Sequence, residues 1–421
     1  MSKLCFGYCD IITTPPASMV QGGYQNRSCH GMGNSGVMDE LFARALSLKY
    51  EKEELMIVTL DLCLINIETA DIIREKISKK INIPKDNIML CVSHTHSGPE
   101  VVKTLLYDTV TDTDTEAEKR IDAYLEDLTD KIVTICSQAQ TGNFKAKLYS
   151  ATYSANLGYN RRYLMEDENG SPTVKMLFNL WRNPGHDING IVDPDIPVLM
   201  IERIDEKCYD SYLSQNGVDR IVLFNVPIHP VVMGSANRYI SADYPGAARR
   251  CIEESLGDGT KAMFMPGACG NINPMLSCQG NPKAVQIFGS AVGCGVITAL
   301  AGRKKVELDG LKAIVENISL NENATCGRIT TQVFKIGKAA VAAVSNECFT
   351  ELGIEIRKRS GFEQTLVATN SNGGYGYVPT RESWGISGGY EVPIAKKVGF
   401  DEGLLEMMTE TIVKNLKELN R

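Results

Sequence analysis

The stretch that most constrains this chain is Ile88-Met-Leu-Cys-Val-Ser-His-Thr-His-Ser-Gly-Pro99. Ile88 to Val92 is a short, unbroken apolar run, the pattern of a strand covered on both faces in an α/β sheet. Upstream, Leu55 to Leu62 is a second strand-like run. Between them Ile73, Ile77 and Ile81 recur every four residues with charges in between, as on one face of a helix that ends by Pro84. Leu55–Val92 therefore predicts a β–α–β unit with parallel strands. Open α/β sheets bind ligands at the carboxyl ends of such strands, and His94 and His96 emerge there. Two residues apart on extended backbone, they would share one face. Gly98-Pro99 then turns the chain away. A bare His-x-His fits hydrogen-bonded loop histidines as well as it fits metal ligands, so the surroundings must decide.

The surroundings read as more of the same fold class. Leu41–Tyr50 and Leu55–Leu62 are joined by Glu51–Glu54, a connection of hairpin length. Further strands are expected at Phe144–Tyr153, Val198–Ile204, Ile221–Val226, Lys261–Met265, Leu311–Leu320, Val333–Val344 and Leu366–Thr369. Amphipathic periodicity predicts helices over Glu116–Gln140 and Asp401–Leu419. Val285–Ala301 reads as a buried helix rich in small residues. The sequence carries no internal repeat, low-complexity linker or composition shift, so a single α/β domain over 1–421 is the expectation.

Composition narrows the partners. A net charge of −7 and a pI near 5.5, without a Lys/Arg-rich run, exclude a nucleic-acid surface. Thirteen cysteines without a C-x-x-C pair read as free thiols in apolar patterns. No N-terminal apolar leader and no run of membrane-spanning length stand out, so a reducing cytoplasm without stable membrane insertion is expected.

Several strand exits carry chemistry. The glycine-rich Gly22–Gly36 stretch lacks the Gly-Lys-Ser/Thr of a phosphate loop, and its His30 reads as solvated or substrate-facing rather than as a ligand. Asp108–Thr115 is a polar run, a lid or a solvated loop. Arg161-Arg162 follows a strand and could clamp an anion bidentately or make surface ion pairs. His229 sits just past a strand between Pro227 and Pro230. Ser241-Ala-Asp-Tyr-Pro-Gly246 reads as a helix start. Pro266–Pro274 is a turn whose amides could steady a negative charge or simply close the turn. Glu347 lies at another strand exit. Tyr375, Tyr377 and Tyr390 lie in stretches too glycine-rich to be core.

Taken in order, the early Gly-Tyr loop with Leu41-Phe-Ala-Arg-Ala45, His94-Thr-His-Ser-Gly-Pro99, Asn160-Arg161, His229-Pro230, Ser241–Gly246 and Gly376-Tyr-Val-Pro-Thr380 resemble the amino-terminal catalytic region of neutral, non-lysosomal ceramidases. The resemblance runs from end to end of the chain. It implies a layered α/β/β/α sandwich with mixed sheets and a catalytic zinc held by two histidines, a glutamate and a tyrosine. Carried over, His94, His229, Glu347 and Tyr377 would be the ligands. His96, Arg161 and Tyr390 would line the reacting centre, with Gly23, Tyr24 and Asn273 against the substrate. Two departures stand out: Gly270-Asn-Ile-Asn-Pro274 replaces the family's Gly-Asp-Val-Ser-Pro, and Ser345-Asn346 replaces Pro-Gly before the glutamate. The family's carboxyl-terminal immunoglobulin-like domain and secretion signal have no counterpart in the sequence.

The expected function is zinc-dependent hydrolysis of an amide bond in a small or acylated substrate rather than in membrane ceramide. A lyase or isomerase acting on a polyol, or a metal- or ligand-binding protein without turnover, are the alternatives.

Overall fold

The computed structural model describes residues 3–17, 19–24, 34–102, 115–180, 188–204, 218–257 and 259–421. His30 and most of Asp108–Thr115 therefore lie outside the described residues.

The chain builds one large sheet, then a smaller one. The first strands are β1 (Leu4–Ile12), β2 (Phe42–Tyr50), β3 (Glu53–Leu60) and β4 (Ile88–Val92), with α1 (Ile67–Ile81) between the last two and α2 (Thr115–Thr141) after them. Asn66 starts α1 by accepting the Thr69 N–H, and Asn82 ends it in the left-handed region. β1–β2 and β2–β3 are antiparallel and β3–β4 parallel, as the β–α–β reading requires.

The next strands are β5 (Phe144–Ser154), β6 (Asp195–Arg203), β7 (Arg220–Val226) and β8 (Thr260–Pro266), with α3 (Asp243–Leu256) before β8 and α4 (Pro282–Ala301) after it. They pair antiparallel, antiparallel, parallel. β1 pairs with β5, so the sheet runs β8-β7-β6-β5-β1-β2-β3-β4.

The smaller sheet holds β9 (Leu311–Ser319), β10 (Arg328–Ile336), β11 (Ala339–Val344) and β12 (Gln364–Ala368). α5 (Thr350–Arg359) precedes β12; α6 (Glu391–Lys397) and α7 (Leu404–Leu419) follow it. Its pairing is again antiparallel, antiparallel, parallel. The expected absence of an internal repeat is thus corrected at the level of topology: one β-β-β-α-β-α plan is used three times. The shared feature is the order of pairings, which leaves no periodic residue pattern to read.

Alternate residues explain the layering. Leu55 and Ile57, Met89 and Cys91, Leu199 and Ile201, and Leu223 meet Phe334, Val341, Ala343 and Leu366 between the two sheets. The intervening Met56, Val58, Leu90 and Val92 pack on α1 and α2. Val222, Phe224 and Phe264 pack on α3 and α4, and Val333, Ala342 and Val344 on α5 and α7. β4, β7 and β11 are covered on both faces, which is why their sequences are nearly solid apolar runs. The result is the α/β/β/α sandwich.

Two expectations change. Val333–Val344 is not one strand but the β10–β11 hairpin, turned at Gly337 (φ 61°) and Lys338. Lys335, Gly337 and Lys338 mark the turn in the sequence, a break that the single-strand reading ran through. α4 is also, by length and composition, apolar enough to cross a bilayer, contrary to the reading that no such run exists. Its Val285, Phe288, Val292, Val296 and Leu300 stripe packs instead against α3 and the sheet.

A candidate metal centre where three strand ends meet

The three parallel pairs end at one place. β8 comes back within 8 Å, Cα to Cα, of β3 and β4 at the far edge of the sheet. The segment after β12 fills the seam: Thr369 N–H donates to Pro266 O, Val92 N–H to Asn370 O, and Asn372 N–H to Leu90 O. Side chains leaving these ends must therefore converge.

His94 follows β4 by two residues, but in the left-handed region (φ 64°) rather than on extended backbone. The histidine pair thus converges through a turn, not through shared strand pleating. The His94 and His96 rings meet edge-on at 4.8 Å, with Nε2 atoms 3.3 Å apart. A non-glycine residue held there is strained, a cost that recurs at functional sites. His229 follows β7, and its ring centroid lies 4.9 Å from that of His94. Glu347 follows β11 and is nearly buried.

Both imidazoles commit one nitrogen to the backbone. His94 Nδ1–H donates to Cys63 O (2.7 Å), and His229 Nδ1–H to Cys269 O (2.5 Å). Both rings thus turn Nε2 inward, each 3.1 Å from Glu347 Oε2. Two ring nitrogens and a carboxylate oxygen facing one point need a cation among them, a proton on His94 or a metal ion in its place. Burial is the largest influence on His94 and opposes its charge, yet Glu347 and Cys63 together outweigh it and hold the His94 pKa well above the ordinary value, so without an ion the ring carries a proton that a metal would displace. At His229 burial and then Arg161 act together and lower it to about 4. Burial works against the Glu347 carboxylate, but the two histidines keep it well below the usual range.

The expected fourth ligand stands beside the third. Tyr377 is paired with Glu347 in a short parallel ladder, and Glu347 N–H donates to Gly376 O (2.9 Å). Contrary to the loop reading, Tyr375 and Tyr377 are buried, Tyr375 within the core under α7. Tyr390 is half-buried, edge-on to Tyr377 at 5.5 Å, and the Arg161 guanidinium lies 5.4 Å and 5.1 Å from the two ring centres. Burial raises the Tyr390 pKa in spite of Arg161, keeping the phenol protonated.

The Arg161-Arg162 pair makes neither an anion clamp nor surface ion pairs. Both side chains are buried on Glu391, Arg161 Nε at 3.0 Å from Oε1 and Arg162 Nη1 at 2.7 Å from Oε2. Arg161 also donates to Gly270 O (2.6 Å), which leaves it fixed in place. Glu391 was not singled out from sequence. Two adjacent cationic side chains call for a counter-charge, but nothing along the chain links position 161 to 391. Ile272 N–H closes the Pro266–Pro274 turn on Cys269 O, while the Gly267 and Gly270 amides donate to the Val226 and Cys348 carbonyls of neighbouring segments, so these three are spent on the backbone rather than on an anion.

A cavity of about 360 Å³ opens onto this cluster. Its lining brings together Gly23, Tyr24, His96, Arg161, Asn273, Glu347, Tyr377 and Tyr390, with Cys63 and Glu100, which sequence reasoning had not marked. Gly23 (φ 88°) lies flat on His96: a Cβ there would stand 2.8 Å from the ring. Tyr24 packs edge-on to His96, with ring centroids 4.9 Å apart. The expected site residues are therefore drawn together, with Phe178 at 49% exposure on the rim.

The family model for neutral/alkaline non-lysosomal ceramidases, N-terminal region, matches residues 3–312. Among solved structures, neutral ceramidase from Pseudomonas aeruginosa aligns with a TM-score of 0.77 and 18% identity, covering 100% of this chain and 75% of that one. A ceramidase complexed with C2 aligns with the same score and identity over 100% and 76%. A search of the curated proteins gives no match. The structural likeness carries the fold, and the family match carries the kinship: this chain belongs to the neutral/alkaline non-lysosomal ceramidase family of hydrolases.

Proposed function

We propose that the chain is a zinc-dependent hydrolase that opens an amide C–N bond with water, acting on a small or singly acylated amide rather than on membrane ceramide. The observation that supports it is the inward-facing trio of His94 Nε2, His229 Nε2 and Glu347 Oε2, with both Nδ1 protons spent on carbonyls. Tetrahedral zinc ligands lie about 3.3 Å from one another, close to the 3.1 Å found here. Tyr377, beside Glu347, completes the set and leaves room on the cavity side.

Bound there, zinc supplies Lewis acidity and a water of lowered pKa. His96, on the cavity wall beside His94, takes a proton from the attacking water and returns one to the departing amine. Arg161 and the protonated Tyr390 hold the negative charge that develops on the carbonyl oxygen. A carboxamide is a poor nucleophile because its nitrogen lone pair is delocalised into the carbonyl, so Asn273 offers no hydroxyl to carry an acyl group and water is the attacking group.

The cavity favours a modest substrate. Its volume of about 360 Å³ is near the small end of ligand pockets. Leu64, Val102, Phe178, Val231 and Ile394 form an apolar wall above the polar floor. That wall suits a short acyl chain, and the floor suits an amide.

The test is metal analysis with a panel of N-acyl amines, acetyl to decanoyl, read by primary-amine release. One zinc per chain and turnover falling beyond medium chain length are expected. His229→Ala should lose at least nine-tenths of the zinc while its circular dichroism is unchanged. Full zinc in that variant, or no amine released from any member, would sink the proposal.

A further inference from the structure

The helix layer over the His229 half of the sheet carries two thiols that the metal cluster does not use. Cys251 lies on α3 and Cys294 on α4, 43 positions apart along the chain, and their Sγ atoms are 3.8 Å apart. The helix crossing sets this contact. Gly289 and Gly293 let the two backbones come close: a Cβ on Gly293 would stand 2.7 Å from the Cys251 Cβ, and one on Gly289 would run into Ala247. Both sulfurs thus hang from packed helices rather than from loops, and the fold itself holds them together.

Their surroundings differ. Cys294 is exposed, whereas Cys251 is half-buried, with its Sγ 3.9 Å from Ser290 O. Burial first, and then the neighbouring Cys294, raise the Cys251 pKa. A reagent arriving from solvent therefore meets Cys294 first, with Cys251 behind it as the second sulfur. Bonded sulfurs stand about 2.0 Å apart, so about 1.8 Å of the 3.8 Å remains to be closed. That is the scale of a side-chain rotation, not of a helix shift.

We infer that Cys251 and Cys294 form a modification site, a dithiol that small disulfides convert into a cross-link between α3 and α4. The Cys294 thiolate attacks one sulfur of the incoming disulfide RS–SR, expels RS⁻ and becomes Cys294–S–SR. Cys251 then gives its proton to solvent and attacks Cys294 Sγ, which forms the Cys251–Cys294 bond and expels the second RS⁻. The protein loses two electrons and two protons, and the small disulfide gains them as two RSH. The cross-link braces the layer behind His229. At the start of α3, Asp243 accepts the Val232 and Met233 amide protons and Tyr244 donates to Ile228 O (2.6 Å), on either side of His229. Cys251 lies eight residues further along α3, roughly 12 Å away.

The test incubates the reduced full-length chain with glutathione disulfide, blocks the remaining thiols, and maps the unreduced digest by mass spectrometry. A Cys251–Cys294 peptide pair should appear, with no glutathione left on either residue. The unfolding midpoint should rise by about 4 °C, from closing a loop of this length in the unfolded chain, and dithiothreitol should reverse both changes. Cys251→Ser should stop at glutathione on Cys294, without any rise. Cys294→Ser should take up glutathione at Cys251 at least tenfold more slowly. Glutathione that stays on Cys294 in wild type, a cross-link from either residue to another cysteine, or no reaction at this pair overturns the inference. So does a midpoint that rises equally in Cys251→Ser.

Discussion

Replacing Glu391 by glutamine tests how the reacting centre is held. The carboxylate is fully buried and shared, one oxygen for Arg161 and one for Arg162, both arginines also buried. Glutamine keeps the shape but loses the charge and turns an NH₂ donor toward one guanidinium. Breaking a buried ion pair by removing one partner costs about 3–5 kcal/mol, because the remaining charge stays desolvated. With an unfolding entropy of about 2.1 cal/mol/K per residue over the whole chain, that cost lowers the midpoint by about 3–6 °C. The catalytic effect is separate. Arg161 keeps Gly270 O but loses the contact that orients its Nε, and loss of one aligned oxyanion donor lowers kcat by about 10²–10³-fold. Differential scanning calorimetry and amine-release kinetics on zinc-loaded Glu391→Gln would measure both. A variant that melts with wild type and turns over within twofold of it would refute the claim that Glu391 holds Arg161 in place.

Two further perturbations follow from the geometry. Asp243 is buried and accepts the amide protons of Val232, Met233 and Tyr244, and burial outweighs those bonds to raise its pKa to about 6. The folded protein therefore binds this proton more tightly than the unfolded one, so the stability it adds is full below pH about 4 and lost as pH rises to about 6, on the order of 3 kcal/mol. Denaturant titrations of Asp243→Asn at pH 4 and pH 6.5 should lose that slope, and an unchanged slope would exclude Asp243 as its source. Gly23→Ala places a Cβ at 2.8 Å from the His96 ring at a φ of 88°, so kcat should drop at least tenfold while zinc content stays at one per chain. Retained activity would mean that His96 tolerates displacement.

What the sequence disclosed follows from how each element is buried. Ile88–Val92 was legible because a doubly covered strand leaves a solid apolar run, and the histidines stood out just beyond its end. The β10–β11 turn was legible at Lys335, Gly337 and Lys338 but was passed over, because the apolar residues on both sides of it read as one continuous strand. α5 and α6 are short, and neither was read as a helix. His94, His229 and Glu347 could be named through the family resemblance, but their convergence depends on β8 meeting β4, a closure between opposite edges of a sheet. The role of Glu391 depends on partners far away along the chain, which local pattern does not encode.

The threefold use of one topology bears on how the protein is made. The first β-β-β-α-β-α module brings His94, the second His229 and the third Glu347. No module, and no pair of them, encloses the full trio. On the ribosome the proposed ligand set is therefore complete only after residue 347 has emerged and the last sheet has docked.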